Sequence, residues 1–410
     1  MAEATAQFQK GLDQLELQPD NPERHRQELE FSSALGGVLQ AVKGYAARET
    51  GAAFARARVL WERLGSPAEF FHLPYGQSRC HADRGEFDLA LRLSEDLLRL
   101  SRQRNDSSGL VLGHFSSGRT LMFTGRPASS RSHLDEALAL YDPIAHRSLV
   151  HLTGFGPQVV SQAQLGIVLV CLGFSDQALA RSNAAIAEAR RLAHPPSFAM
   201  SLSLGSALLS LIGDDAALTE RAGQLAAVAT EQGFPFFRAQ GTIYQGWVEV
   251  KNGNVAEGIS LLRSGSAAFH TPGAAVWMPY YIGLRARACE IARQIEEAST
   301  LLDDALQMVD RTGEQWFAAE LHRRKGRLLL RQGQDAAAEE LYWKALRIAR
   351  EQEGKLWELR AAVSLARLRR DQGQQAAARD LLTPVYRWFT EGFDTPDLKE
   401  AKALLDALDA

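Results

Sequence analysis

A comb of glycines runs through most of the chain and leaves few folds open to it. Gly85, Gly125, Gly173, Gly213, Gly253, Gly333 and Gly373 mark a forty-residue period. Arg293 fills the one gap, and a single interval, from Gly125 to Gly173, is forty-eight. Seven residues before each tooth stands Ser78, Gly118, Gly166, Ser206, Gly246, Ala286, Gly326 or Ala366. Five residues after it comes Ala90, Ser130, Ala178, Leu218, Gly258, Ala298, Ala338 or Ala378, small in all but one. Glycine accepts the positive φ that ends a helix, and small residues on both sides of a turn let two helix axes cross closely. Each period therefore predicts a helical hairpin.

The segments between teeth agree with that reading. AAAEELYWKALRIAREQ and EASTLLDDALQMVDRTG carry apolar residues at i, i+3, i+4 and i+7 and show no strand-like alternation. Further breakers, Gly233, Gly273, Gly313 and Gly354, fall about twenty residues past the first set, where each second helix should stop. The expected fold is all-α: a superhelical solenoid of roughly eight to nine hairpins over residues 1–394, with an irregular start at 1–44 and an insertion near 141–157. A closing helix is expected over 395–410, with Thr395 as N-cap and Pro396 at the first helical position. Eight hairpins at roughly 9 Å per helix predict a path of order 140 Å.

Composition narrows the function. A chain of 410 residues with 46 % hydrophobic content is longer than one compact core usually grows, which suits a repeat array. The 46 Lys and Arg against 49 Asp and Glu leave no overall positive excess for nucleic acid or an acidic membrane. Cys80, Cys171 and Cys289 lie far apart and form no CxxC or CxxH pair, so no metal and no cofactor are expected. The N-terminal stretch lacks the pattern of a signal peptide, and the apolar run Ser197 to Ile212 is shorter than the roughly 20 residues of a membrane span. These features suggest a reduced, cytoplasmic chain.

Small residues seven before and five after a turn resemble the signature of tetratricopeptide (TPR) repeats, stretched here to forty residues. GLDQLELQPDNPERHRQELE, LYDPIAHRSLVHLTGFGP, AAELHRRKGRLLL, LRAAVSLARLRRDQGQ and EGFDTPDLKEAKALL resemble the C-terminal TPR region of large bacterial signalling proteins. In that family a class III adenylate/guanylate cyclase domain and an AAA-type ATPase precede the repeats. The resemblance implies a regulatory arm, detached or truncated in this chain, for an ATPase/cyclase module. Where the family tends to have Gly-x-Asp-Pro, this chain has Gly154-Phe155-Gly156-Pro157. No GxxxxGK[ST] phosphate loop, HExxH, GxSxG or CxxC occurs, so binding is expected and not catalysis. A runner-up reading is the inducer-binding arm of a transcriptional activator whose DNA-binding domain lies elsewhere.

Candidate binding residues follow from phase. Phe237, Trp277, Phe317 and Trp357 repeat at forty and either fill the seam between hairpins or stack on a ligand ring. The insertion brings Tyr141, His146 and His151 together on what is either a binding loop or an ordinary surface connection. Six residues before the turns stand Arg79, Arg119, Ile167, Ala207, Trp247, Arg287, Arg327 and Arg367, the phase that in TPR proteins faces the concave groove. The alternative is an arginine-rich solvated face. The expected groove comprises Arg287, Arg327 and Arg367, widened by Arg323, with Trp247, Tyr280 and Glu320 beside them. Its expected partner is a protein, an acidic peptide or a small ligand, with no direct role for nucleic acid.

Overall fold

The computed structural model describes residues 2–271 and 273–409; Met1, Pro272 and Ala410 lie outside it. Three helices start the chain: α1 (Ala2–Glu16), α2 (Pro22–Lys43) and α3 (Arg48–Arg63). Eight hairpins follow. They are α4 (Leu73–Asp83) with α5 (Phe87–Arg104), α6 (Ser107–Phe123) with α7 (Pro127–Leu140), then, past the short α8 (Leu149–Thr153), α9 (Pro157–Cys171) with α10 (Ser175–Arg191). Next come α11 (Pro195–Ile212) with α12 (Asp215–Glu231), α13 (Pro235–Lys251) with α14 (Val255–His270), and α15 (Met278–Ile291) with α16 (Ile295–Thr312). The last two are α17 (Ala318–Arg331) with α18 (Asp335–Glu351) and α19 (Lys355–Asp371) with α20 (Gln375–Arg387), before the closing α21 (Pro396–Asp409). Among the described residues there is no strand.

The small-residue columns meet inside each hairpin. Ser78 Oγ donates to the Ala90 carbonyl at 2.8 Å and Ser130 Oγ to the Gly118 carbonyl at 2.6 Å. A Cβ at Gly246 would lie 2.8 Å from Leu262 N and 2.9 Å from the Gly258 carbonyl, and one at Gly326 3.0 Å from the Ala338 carbonyl. These distances leave no room for a side chain, which is why the columns stay small. Arg293, in the slot without glycine, takes the same left-handed conformation at φ 61°. One breaker is displaced: the left-handed residue after α18 is Glu353 (φ 55°), whereas Gly354 has φ −80°.

Two expectations at the ends and over the length need correction. Thr395 does not cap α21 through its side chain; its Oγ1 donates to the Gly392 carbonyl at 2.7 Å, while Pro396 does open the helix. The path is also not open. Ala275 N donates to the Asp83 carbonyl at 2.9 Å and Gln315 N to the Phe123 carbonyl at 2.8 Å, both spanning 192 residues. The coil therefore meets itself after between four and five hairpins. Its surface of 17202 Å² is close to the roughly 15,700 Å² of a compact monomer of this mass. Helix α11, the one helix among those described that is long and apolar enough to cross a membrane, has 72 % of its window buried inside the coil. The aromatic column is buried throughout: Phe237, Trp277, Phe317 and Trp357 are at most 5 % exposed, and Phe317 meets Trp357 edge-on at 5.3 Å.

Candidate functional site

The N-terminal helices α2 and α3 pack on each other about a turn at Gly44 (φ 85°), and α3 continues the stack onto α4. Arg84 donates from Nε to the Ala46 carbonyl and from Nη2 to the Ala47 carbonyl, at 2.9 and 2.8 Å, and Gln40 and Tyr45 both donate to the Thr153 carbonyl at 3.0 Å. These bonds tie α2 and the loop after it to the turn after α4 and to the end of α8. Beneath lies a cavity of about 1840 Å³, walled by α2, by α4, by the insertion from Val150 to Phe155, and by the ends of α11, α13 and α14.

The cavity is largely apolar. Phe155 meets Phe237 edge-on at 6.3 Å and Phe236 meets Phe237 likewise at 5.3 Å, with Val38 and Met200 on the same lining. Its buried charges come from α4. Arg79, 4 % exposed, lies 4.6 Å over the Tyr45 ring, and Asp83 stands one turn further on the same helix. Asp83 also receives Arg119 Nη2 at 2.6 Å, while its distance to Arg79 is 3.9 Å. Two buried guanidinium groups thus share one carboxylate. Arg79 Nε and Arg119 Nη1 are buried without a hydrogen-bond partner. Burial, and after it the Arg79 charge, pushes the Arg119 pKa down.

The insertion residues divide. His151 lines the cavity, Tyr141 is half-buried, and His146 is a buried structural group whose Nδ1 accepts from Asp142 N at 2.9 Å with Nε2 2.9 Å from Ser107 Oγ.

The C-terminal arginines lie in one region but are largely engaged by the chain itself. Arg327 pairs with Glu290, which Arg331 also approaches at 3.2 Å, and Arg367 pairs with Glu400. Arg323 forks onto Glu320 at 2.7 and 2.8 Å and reaches Ser364 Oγ at 3.2 Å. Arg287 has no carboxylate partner among the described residues. It sits 5.2 Å over Trp247, and burial, then the charges of Arg324, Arg327 and Arg360, push its pKa down to about 9.

Three residues expected to face a partner are interior. Trp247, 2 % exposed, lies under Arg287. Tyr280, 1 % exposed, is held edge-on to Phe317 at 5.2 Å with its hydroxyl against Ser210. Glu320 is the buried counter-ion of Arg323 and Arg324; burial raises its pKa, but those two cations outweigh it and hold the carboxyl well below its usual range.

Sequence reasoning overlooked Asp83, Phe236 and Gly37 of the cavity wall. The i, i+4 pairing of Arg79 with Asp83 was the available signal. Cys80, Cys171 and Cys289 are buried free thiols, and burial pushes Cys80 and Cys171 up to about 12. Among the described residues no three His, Cys, Asp or Glu side chains converge as metal ligands.

No family model matches the chain. Over 223 residues it is 30 % identical to the uncharacterized protein R02095 of Rhizobium meliloti (strain 1021). The match takes in 53 % of this chain and 21 % of that protein, so the chain spans about a fifth of the curated relative. Among solved structures it is similar to a Rap protein complexed with Competence and Sporulation Factor, with a TM-score of 0.60 at 11 % identity over 86 % of this chain and 98 % of that one. The APC/C hetero-tetramer Cut9–Hcn1 gives a TM-score of 0.49 at 12 % identity, over 94 % and 72 % respectively. The likeness to the Rap protein is one of fold, and by it and its own helical hairpins the chain is a TPR-like superhelical solenoid.

Proposed function

We propose that this chain is a non-catalytic sensor arm that takes a ligand into the cavity beneath α2 and passes the binding event to a partner or an attached domain. The observation that carries the reading is the cavity itself: about 1840 Å³, mostly apolar, with a few converging charged groups. That is the usual make-up of a binding site and exceeds the roughly 300–1,000 Å³ of a single small-molecule pocket. Its walls come from the first helical layer and from α13 and α14, far along the coil. A ligand touching both favours the arrangement in which they stand at one fixed separation, which is how binding shifts a conformational equilibrium.

Attachment to an ATPase/cyclase module is supported by the resemblance of the repeats to that family's arm. The much greater length of the Rhizobium meliloti relative agrees with a multidomain setting. The Rap protein's complex with Competence and Sporulation Factor is an example of this fold holding a factor. The strip of Arg287, Arg327 and Arg367 belongs to the same proposal as a surface for an acidic partner. Arg287, without a carboxylate of its own, is the residue with most charge left to offer.

Gly37 provides the test. It lines the cavity, and a Cβ there would meet nothing within 4 Å, so the side chain of Gly37→Phe can start into the cavity without a clash at its first carbon. The neutral dye N-phenyl-1-naphthylamine should bind the wild-type chain saturably with a rise in fluorescence. Affinity should fall by roughly tenfold or more in Gly37→Phe at unchanged helicity. Equal binding by both proteins rejects the cavity as the ligand site.

A further inference from the structure

We infer that the cavity selects a ligand with an apolar body and a single carboxylate end, and that Arg79 receives the carboxylate. The inference rests on the cavity being the ligand site and adds the chemical class of the ligand.

Arg79 and Arg119 are 4 % and 7 % exposed, and Arg119 holds Asp83 at 2.6 Å, which leaves Arg79, at 3.9 Å, without a close carboxylate. Unpaired buried charge is costly, and the cost is relieved when a counter-charge arrives with hydrogen bonds to give. Of the two arginines, Arg79 is the one on the cavity wall, and its Nε has no partner. A carboxylate arriving through the cavity can meet the guanidinium at its Nη groups, with the planar donor geometry that arginine offers.

The remaining charges on the wall do not compete for that place. Lys43 is paired with Glu49 at 2.6 Å, Arg84 is spent on the Ala46 and Ala47 carbonyls, and Glu30 approaches Arg26 at 3.6 Å. Arg48 and Arg238 are exposed. Altogether the lining carries five Lys and Arg against three Asp and Glu, which disfavours a cationic ligand. Away from Arg79 the aromatic cluster of Phe155, Phe236 and Phe237 offers rings and no charge. An apolar body therefore belongs there.

Fatty acids and hydrophobic peptides with a free C-terminus share this chemistry. The test displaces bound N-phenyl-1-naphthylamine with dodecanoate against dodecanol, and with one apolar hexapeptide in free-acid against C-terminally amidated form. Wild type should prefer a carboxylate over its neutral counterpart by roughly tenfold or more, in at least one of the two pairs. Whichever pair shows the preference names the source. Arg79→Gln should abolish the preference while still binding the neutral dye. Asp83→Asn, which removes the competing carboxylate, should strengthen carboxylate binding several-fold, and it decides the matter if Arg79→Gln fails to fold. Dodecanol and the amide competing as well as their acids, or a preference that survives Arg79→Gln in a folded protein, overturns the inference and leaves the cavity as a ligand site. No dye binding by wild type overturns both.

Discussion

Gly246 and Gly223 both sit inside helices, and the same substitution should move stability in opposite directions at the two. At Gly246 a methyl group would press on the backbone of α14, 2.8 Å from Leu262 N, so Gly246→Ala forces two helices apart and should cost about 1–3 kcal/mol. Gly223 is exposed on α12 and a Cβ there meets nothing within 4 Å; Gly223→Ala should add about 0.5–1 kcal/mol by restricting the unfolded chain and favouring the helix. Urea midpoints that shift the same way in both variants would show that the close crossing is not what keeps the column small. At this scale much was legible, because a residue excluded by sterics in one repeat is excluded in all. The arginine column was legible only as a phase. Which of its members are free depends on Asp83, Glu290 and Glu400, which stand outside that phase.

At the scale of elements, each hairpin follows from its own forty residues, while the contacts between coils do not. The seam joins loops that precede one helix to turns that end another, and no spacing within a repeat registers that pairing. Glu314 is its most unusual member. The side chain is fully buried and accepts from Trp277 N at 3.1 and 3.2 Å and from Trp316 Nε1 at 2.8 Å, holding Trp277 in a left-handed conformation at φ 71°. Burial pushes its pKa up to about 8 from the ordinary 4.5, against those hydrogen bonds. Below the ordinary value the group is protonated whether the chain is folded or not, and it costs nothing. As pH rises from about 4.5 to about 8 the unfolded chain releases this proton and the folded chain keeps it, so stability falls through that window and levels off above it. Glu314→Gln should remove this contribution. Melting temperatures of the two proteins taken from pH 5 to pH 9 should therefore diverge with rising pH, the variant losing less. Parallel curves would mean that Glu314 is not held in the dry seam described here.

The whole molecule is a coil locked onto itself, and the lock has an electrostatic clasp near its C-terminal end. Glu391, just before α21, receives Asp176 N at 3.0 Å, Gln177 N at 3.1 Å and Gln177 Nε2 at 2.9 Å, while Gly392 N returns a bond to Asp176 Oδ2 at 3.3 Å. A carboxylate more than two hundred residues away thus satisfies free N–H groups in the first turn of α10 and faces the positive end of its dipole. Gly173, in the turn before α10, lies against Trp388 and Phe389, and Gly213 against Pro396, so the clasp continues a packed seam. Closure winds the path of stacked repeats back onto itself: stacking within the repeats accounts for contacts along the coil and for none across it. Small-angle scattering should give a radius of gyration only modestly above the roughly 22 Å of a compact chain of this size. Glu391→Lys replaces an acceptor with a cation at the helix N-terminus, and loss of such a cap costs about 1 kcal/mol. The Asp176 and Gln177 amides should then exchange with solvent roughly fivefold faster, α21 should lose protection with them, and helices α4 to α7 at the other end of the seam should keep theirs. A wild-type radius fitting an open 140 Å path, or unchanged exchange at Asp176 and Gln177 in Glu391→Lys, would mean that the coil is not closed in solution. In that case the cavity, whose walls are held at a fixed separation by the same winding, would lose its defined shape as well.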